Sequence, residues 1–265
     1  MSPKQMPKQH SLCIAVLSLN EASTITNCLH SAQFADQLLV IDAGSTDSTV
    51  NLAQSLGAEI HHHDDWQGFA AQRNRALDHC HCEYIFFLDC DEVIPAELAK
   101  EISIAVTQGA INRGLIRWDE YVFGRRLHGI HQTKGIARLF KVCDLVGFEG
   151  QVHESAILKA PPQAHLFRTR LIHHSRRSIH QSLLKLTQYS QLAAIKLRHT
   201  RHRSGVAIGL LHALPRFLNL YLVKLSFLSG AEGFLYSLFI TLEVFFKYCA
   251  AYYDSDPEAS TPARR

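Results

Sequence analysis

Two carboxylates, Asp89 and Asp91, close the stretch YIFFLDCDE at residues 84–92. Tyr84 to Leu88 form an apolar, aromatic run of the kind that builds a buried strand. In extended chain, side chains two residues apart point to the same side, so both acids are expected to share one face. Two like charges that close are costly to bury without a compensating cation. A divalent ion held by oxygen ligands and bridging phosphates, Mg²⁺ or Mn²⁺, is the chemistry that fits the pair. The competing reading is a pair of helix-capping acids ahead of Pro95. A D-x-D taken alone does not decide between them.

The elements that must position these acids alternate over the first hundred residues. LCIAVLS (12–18) reads as a strand and 22–33 as a helix opened by Asn20 or Ser23. QLLVIDA reads as a second strand, followed by a helix over 45–57 capped by Ser45 or Thr46 and closed by Gly57. AEIHHH, a helix over 69–79, EYIFFLD and a helix over 95–107 with Pro95 in its first turn complete the series. Apolar strands alternating with helices predict an α/β, mostly parallel sheet covered on both faces. Ligands of such sheets bind at the carboxyl ends of the strands. Asn20, Asp42, Asp89 and Asp91 all fall there. Beyond residue 110 the pattern changes, with strands expected at GLIRWDEYVF and GIARLFKV. Helices are expected over 178–203, 206–228 and 232–252, with a disordered tail from 254 to 265.

Haloacid-dehalogenase-type phosphatases also carry D-x-D after a strand, but after the first strand and ahead of Gly-Thr; here Glu92 follows. The segments VLSLNEA, VIDAGSTDST and GFAAQRNRAL, in that order ahead of FFLDCDE, resemble the family 2 inverting glycosyltransferases. With the later ARLFK, VHE and HHSRRS they resemble in particular the bacterial lipopolysaccharide core β-1,4-glucosyltransferases, over roughly residues 12 to 250. The resemblance implies a glycosyltransferase A-type fold over 10–160, with an acceptor-side, membrane-associating helical region over 161–253. It implies a UDP-sugar donor, UDP-glucose in this subfamily, and a lipid-linked saccharide acceptor.

It also assigns roles. Asp42 would accept the uracil N–H, with Asn20 and Glu21 reaching uracil or ribose. Gly44 and Ser45 would turn the chain there, where a plain capping turn is equally compatible. Gln72 and Arg73 would face the diphosphate; the competing reading for Arg73 is a solvated helix face. Asp89 would contact ribose or metal, and Asp91 would ligate the metal. Inversion needs a general base on the acceptor hydroxyl. Glu154 in GQVHE is the first candidate, ahead of Glu120 and Glu149. His153 would complete the metal shell or touch the diphosphate, unless His153 and Glu154 are a structural pair at a strand end. Arg138 would bind phosphate or acceptor. His61, His62 and His63 alternate faces in a strand and do not converge on a metal. His173 and His174, ahead of Arg176 and Arg177, read as an acceptor or phosphate surface.

Charge is divided unevenly. From Ser155 to Ala231 there is no Asp or Glu, against twelve Lys and Arg. The apolar stretches after Gly205 are broken by His212, Pro215, Arg216, Asn219, Lys224, Glu243 and Lys247, and none reaches the ~18 uncharged residues of a spanning helix. Leucine-rich, aromatic helices with basic residues suit the interface of an anionic membrane. An ordinary helical subdomain is the competing reading. A nucleic-acid partner is disfavoured, because no nucleic-acid fold pattern accompanies the charge. The 7 scattered cysteines and the lack of a charged-then-apolar leader set the expectation of a cytoplasmic protein; the resemblance, with the basic, apolar C-terminal part, implies a peripheral place on the inner face of the bacterial inner membrane. A glycosyltransferase of another acceptor, such as a polyprenyl-linked sugar, a capsule or a peptide, and a non-catalytic nucleotide-sugar-binding scaffold are the alternatives.

Overall fold

The computed structural model describes residues 10–128, 134–150, 155–159, 161–200 and 203–254. The chain divides into two compact units, Met1–Trp118 with Gln132–His173, and Asp119–His131 with His174–Arg265. The division is discontinuous, unlike the single boundary expected at residue 160. A β-ribbon lifted from the middle of the chain joins the C-terminal helices.

The first unit opens with β1 (Leu12–Ser18), α1 (Ile25–Ser31), β2 (Gln37–Asp42), α2 (Thr49–Ser55), β3 (Glu59–His62), α3 (Phe69–Asp78) and β4 (Tyr84–Asp89). It continues through β5 (Glu92–Val93), α4 (Ala96–Gln108) and β6 (Arg113–Ile116); β7 (Trp118–Val122) and β8 (Arg125–Arg126) form the ribbon of the second unit from Asp119 onward. The first unit resumes at β9 (Ile136–Lys141), β10 (Leu145–Glu149), β11 (Ser155–Leu158) and β12 (Ala164–Leu166). The strand β13 (Leu171–Arg176) straddles the division.

Seven strands of the first unit form one sheet in the order β12-β6-β9-β4-β1-β2-β3. All neighbours are parallel except β9, which runs antiparallel to both β4 and β6. The sheet is therefore mixed. Its inner strands are apolar throughout because both faces are covered. Ile14, Val16, Val40, Phe86 and Leu88 point into one core with α1, α2 and α4. Cys13, Ala15, Leu39, Ile41, Ile85 and Phe87 point into the other, which α3, Phe140 and Phe148 close. Helix α4 shows the coupling of pattern to packing. Leu98, Ile102, Ala105 and Val106 fall on one buried stripe, and Gly109, in left-handed conformation, ends the helix.

Helices α1 and α2 are shorter than expected, and α1 is opened by Thr24 rather than Asn20 or Ser23. Helix α2 begins at Thr49, not Ser45, because Ser45 and Thr46 bond the neighbouring loop instead of capping a helix. The expected strand GLIRWDEYVF breaks at Arg117 into β6 and β7.

The second unit carries α5 (Ile179–His199), α6 (Val206–Leu218) and α7 (Gly230–Tyr253) beside its β-ribbon. Ser178 caps α5, its hydroxyl accepting from the Gln181 N–H at 3.1 Å. The apolar stretch expected as one helix to 228 ends at Leu218, followed by a wide turn over Asn219–Val223 and a short 3-10 turn over Ser226–Ser229. By length and composition alone, Val206–Val223 and Ser226–Tyr253 suffice to cross a membrane, each with about 17% of its window buried. Only Asp254 of the expected disordered tail lies within the described residues.

Candidate active site

Register brings the carboxyl ends of the central strands level. Asp42 pairs with Ser18, and Asp89 with Leu17, so the two acids flank the end of β1. From β1 the chain order runs outward through β2 and β3 on one side and starts at β4 on the other. The crevice between β1 and β4 is the topological switch point, where open α/β sheets bind ligands.

The loops at the ends of β1 and β2 are knitted together. Asn20, with φ 56, accepts from the Thr46 N–H at 2.9 Å, and its own N–H donates to Ser45 Oγ at 2.9 Å. The Glu21 N–H donates to Thr49 Oγ1 at 2.8 Å, while its carboxylate accepts from Thr24 Oγ1 at 2.7 Å. Asp42 is fully buried. Its Oδ1 accepts from Ser18 Oγ at 2.9 Å and Ser45 Oγ at 2.5 Å, and its Oδ2 from the Gly44 and Ser45 N–H groups at 3.1 and 2.8 Å. Burial opposes the charge, but the Ser45, Ser18 and Gly44 donors outweigh it and hold the carboxyl below its ordinary value. Both oxygens, expected to serve a uracil N–H, are thus engaged within the fold. Gly44 has φ 94, and a Cβ there would meet Asp64 Oδ1 at 3.3 Å, so only glycine suits this turn.

The expectation that Asp89 and Asp91 share one face rests on extended chain, and the chain is not extended there. The strand stops at Asp89, Cys90 and Asp91 form a turn, and β5 begins at Glu92. The carboxylates take different partners. Asp89 Oδ2 accepts from Arg138 Nη2 at 2.7 Å. Asp91 Oδ2 stands 3.7 Å from His173 Nε2. Cys90 packs inward, with Sγ 3.2 Å from the Leu17 carbonyl.

A third acid lies beneath them. Glu92 is 1% exposed; its Oε2 accepts from the Asp89 N–H at 3.0 Å and its Oε1 from Arg138 Nη2 at 2.7 Å. Burial, reinforced by the Asp89 charge against the pull of Arg138, pushes the Glu92 carboxyl up to about 7. For Asp89, burial is outweighed by Arg138, which holds the carboxyl below its ordinary value. Arg138, expected to contact phosphate or acceptor, is 6% exposed and works instead as a clamp on two acids. It projects from β9, the antiparallel strand beside β4.

His173 is positioned by pairing opposite Glu92 in the β5–β13 ladder, with the Trp118 ring edge-on at 5.7 Å. The sequence marked it only as part of a basic surface. Its proximity to Asp91 arises from a strand pairing across about 80 residues, which no local pattern announces. Arg73 is 8% exposed, its guanidinium 5.0 and 5.5 Å from the Phe87 and Phe148 ring centres, and its charge reaches Asp89. Gln72 is buried, with Nε2 3.4 Å from the His63 carbonyl. Asn74 brackets the Phe148 backbone with two bonds, of 2.8 and 3.0 Å. His153 and Glu154 lie outside the described residues. Of the other candidate bases, Glu120 is buried in the second unit and Glu149 is exposed at the end of β10. A cavity of about 350 Å³ lined by Ile111, Asn112, Lys141 and Pro161 lies at the opposite end of the sheet from Asp89.

Among the described residues no three His, Cys, Asp or Glu side chains form a ready-made metal cage. Asp89 and Asp91 nevertheless stand two residues apart at the strand end, one held by Arg138 and the other facing His173. Asp91 and His173 supply oxygen and imidazole donors suited to Mg²⁺ or Mn²⁺, which complete their shells with substrate phosphates and water. The residues fit such an ion.

Residues 13–139 match the profile of Glycosyl transferase family 2. Over these residues, just under half of the chain, the protein is similar to that family. The mixed, helix-covered sheet of the first unit is of the glycosyltransferase A type, as the sequence led us to expect. Along most of its length the chain is similar to the lipopolysaccharide core biosynthesis glycosyltransferase LpsC of Rhizobium meliloti, 23% identical over 83% of this chain and 84% of that one. More local matches reach 36% identity, where the chain spans about a third of the relative's length. Among solved structures, S. aureus TarS in complex with UDP-GlcNAc aligns over 88% of this chain and 81% of its own, with 15% identity and a TM-score of 0.48. Glucosyl-3-phosphoglycerate synthase from Mycobacterium tuberculosis, in complex with Mn²⁺ and UDP, aligns over 43% and 45%, with 22% identity and a TM-score of 0.35.

Proposed function

We propose that the chain is a metal-dependent, inverting glycosyltransferase that moves a hexose, glucose from UDP-glucose, onto an inner-core sugar of lipopolysaccharide. The observation that carries this reading is Asp89, held by Arg138, with Asp91 two residues on and 3.7 Å from His173, at the switch point of a family 2 domain. Two acids and an imidazole at that point suit the divalent ion that accompanies a nucleoside diphosphate. The likeness to LpsC along most of both chains supports the acceptor class.

In this reading Asp91 and His173 hold the ion, with Asp89 beside it at the ion or the ribose. When bound, the ion stabilises the departing diphosphate. The knitted loops of Asn20, Glu21, Gly44 and Ser45 form the donor floor, which Asp42 fixes from below. Gln72 holds the start of α3 in place, and Arg73 adds positive charge beside the diphosphate. Glu154, next to His153, takes the proton of the acceptor hydroxyl. The acceptor oxygen then bonds to the anomeric carbon from the face opposite the breaking bond to phosphate, and UDP leaves. The acid-free basic stretch meets a phosphorylated glycolipid at an anionic membrane surface, with the protein peripheral on the cytoplasmic face.

Mass analysis of lipopolysaccharide from a strain lacking this gene tests the acceptor, with loss of one inner-core hexose expected. An unchanged core would overturn the acceptor assignment. Absence of metal-dependent UDP-glucose turnover by the purified protein would overturn the donor and the enzyme reading together.

A further inference from the structure

Helix α6 is built inside out for water. Its small residues, Gly209 and Ala213, are buried, whereas Leu210, Leu211, Leu214 and Leu218 are between 44% and 66% exposed on one outward face. A Cβ at Gly209 would meet the Phe245 ring and carbonyl of α7 at 3.1 Å. Close helix approach through small residues, with the large ones outside, is the packing habit of helices bathed in lipid.

The turn that follows repeats the inversion. Leu222, Val223, Leu225, Phe227 and Leu228 are exposed, Val223 by 73%. The hydroxyls of Ser226, Ser229 and Ser237 are turned inward and fully buried, with Ser226 and Ser237 bonded at 2.7 Å. Leu225 adopts a left-handed conformation, φ 57, that disfavours a bulky side chain. Lys224 is the one charge of the turn and is exposed, as is Arg216 on α6.

Helix α7 is apolar enough to span, but it is tied along its length to the rest of its unit. Near its start Arg125 pairs with Glu232 at 3.3 Å, and the His128 N–H donates to Ser229 Oγ at 2.8 Å. At its middle Glu243 pairs with Arg176 of β13 at 2.5 Å, and Arg176 lies over the Phe239 ring. Near its end the Tyr248 carbonyl accepts from the Gly205 N–H at 3.0 Å. A helix held at mid-length by a strand arginine cannot enter a bilayer without breaking that pair and leaving two charges exposed to hydrocarbon.

We propose that the outward face of α6 and the 219–228 turn embed in the headgroup–acyl boundary of an anionic leaflet, lying in the interface plane with no segment crossing. Arg216 and Lys224 reach up to lipid phosphates. This rests on the membrane-surface reading above and names the surface that makes it.

The test is sedimentation of the full chain with vesicles of phosphatidylcholine, with and without phosphatidylglycerol. Binding is expected to favour the anionic vesicles. Leu214→Glu and Val223→Glu should each weaken it about tenfold or more, while metal-dependent UDP-glucose turnover is retained. Ile104→Glu, at an exposed apolar position of α4, should bind like the parent. Unchanged binding by both glutamate variants would overturn this face and leave the membrane reading standing. No vesicle binding by the parent chain would remove both. If the parent is a dimer in sedimentation velocity and the same variants are monomers that still bind vesicles, the face is a self-interface and the proposal fails.

Discussion

Arg138 and Glu92 form a buried ion pair, Nη2 to Oε1 at 2.7 Å, and the same nitrogen reaches Asp89 Oδ2 at the same distance. One cation therefore holds two neighbouring acids of the strand end, one beneath the surface and one half-exposed. Burial opposes the guanidinium charge, but Asp89 and Glu92 prevail and tighten its hold on its proton.

Arg138→Met is expected to destabilise the first unit by about 3–5 kcal/mol, the cost of leaving a buried charge without its partner. Arg138→Met with Glu92→Gln should recover part of that loss, because the orphaned charge is gone. Urea unfolding of both singles and the double reads this directly. Purely additive losses would show that the pair is not coupled.

Stability should respond to pH through Glu92. Its carboxyl is pushed up to about 7, so the folded state holds a proton that the unfolded chain releases at lower pH. The contribution is complete below the ordinary glutamate value of about 4.5 and falls as pH rises through about 7. Asp89, held below its ordinary value, acts in the opposite sense: its contribution is present at higher pH and lost as pH falls through its folded value. Glu92→Gln should flatten the melting-temperature profile between about 4.5 and 7 relative to the parent. A parent whose melting temperature climbs across that window would contradict the assignment.

Asp91→Asn is expected to abolish Mn²⁺-dependent transfer with the melting temperature unchanged. The side chain ends a turn and packs into neither core cluster. His173→Ala should weaken Mn²⁺ binding in the presence of UDP, read by calorimetry. Full activity of either variant in excess chelator would remove the metal from the mechanism.

Glu154→Gln should lower turnover by about two orders of magnitude or more while leaving UDP-glucose affinity near that of the parent, as loss of a general base acting on the acceptor does. Normal turnover would pass the role to Glu149 or Glu120.

The central sheet was legible because β1, β2 and β4 are apolar runs closed by turn residues, and burial on both faces asks for nothing else. The four parallel strands and the acids at their ends followed from that pattern. The ribbon of β7 and β8 was not legible, since its place depends on pairing with segments far along the chain. The roles of Arg138 and His173 were hidden for the same reason. Each sits in an ordinary strand sequence and acquires its meaning from the antiparallel neighbour that brings it to Asp89 or Asp91. Ser45 misled in the other direction. As a good capping residue it suggested a helix start, but the buried Asp42 took both its donors.

Asp42 holds four donors, and Asn20 ties the loop after β1 to the loop after β2. Neither loop can lift without releasing the other, so they open as one unit or not at all. The amide protons of Gly44, Ser45 and Thr46 should then exchange with solvent together, slowly, and at a common rate. Because each of these bonds lies within the chain itself, that rate should slow little when UDP is added.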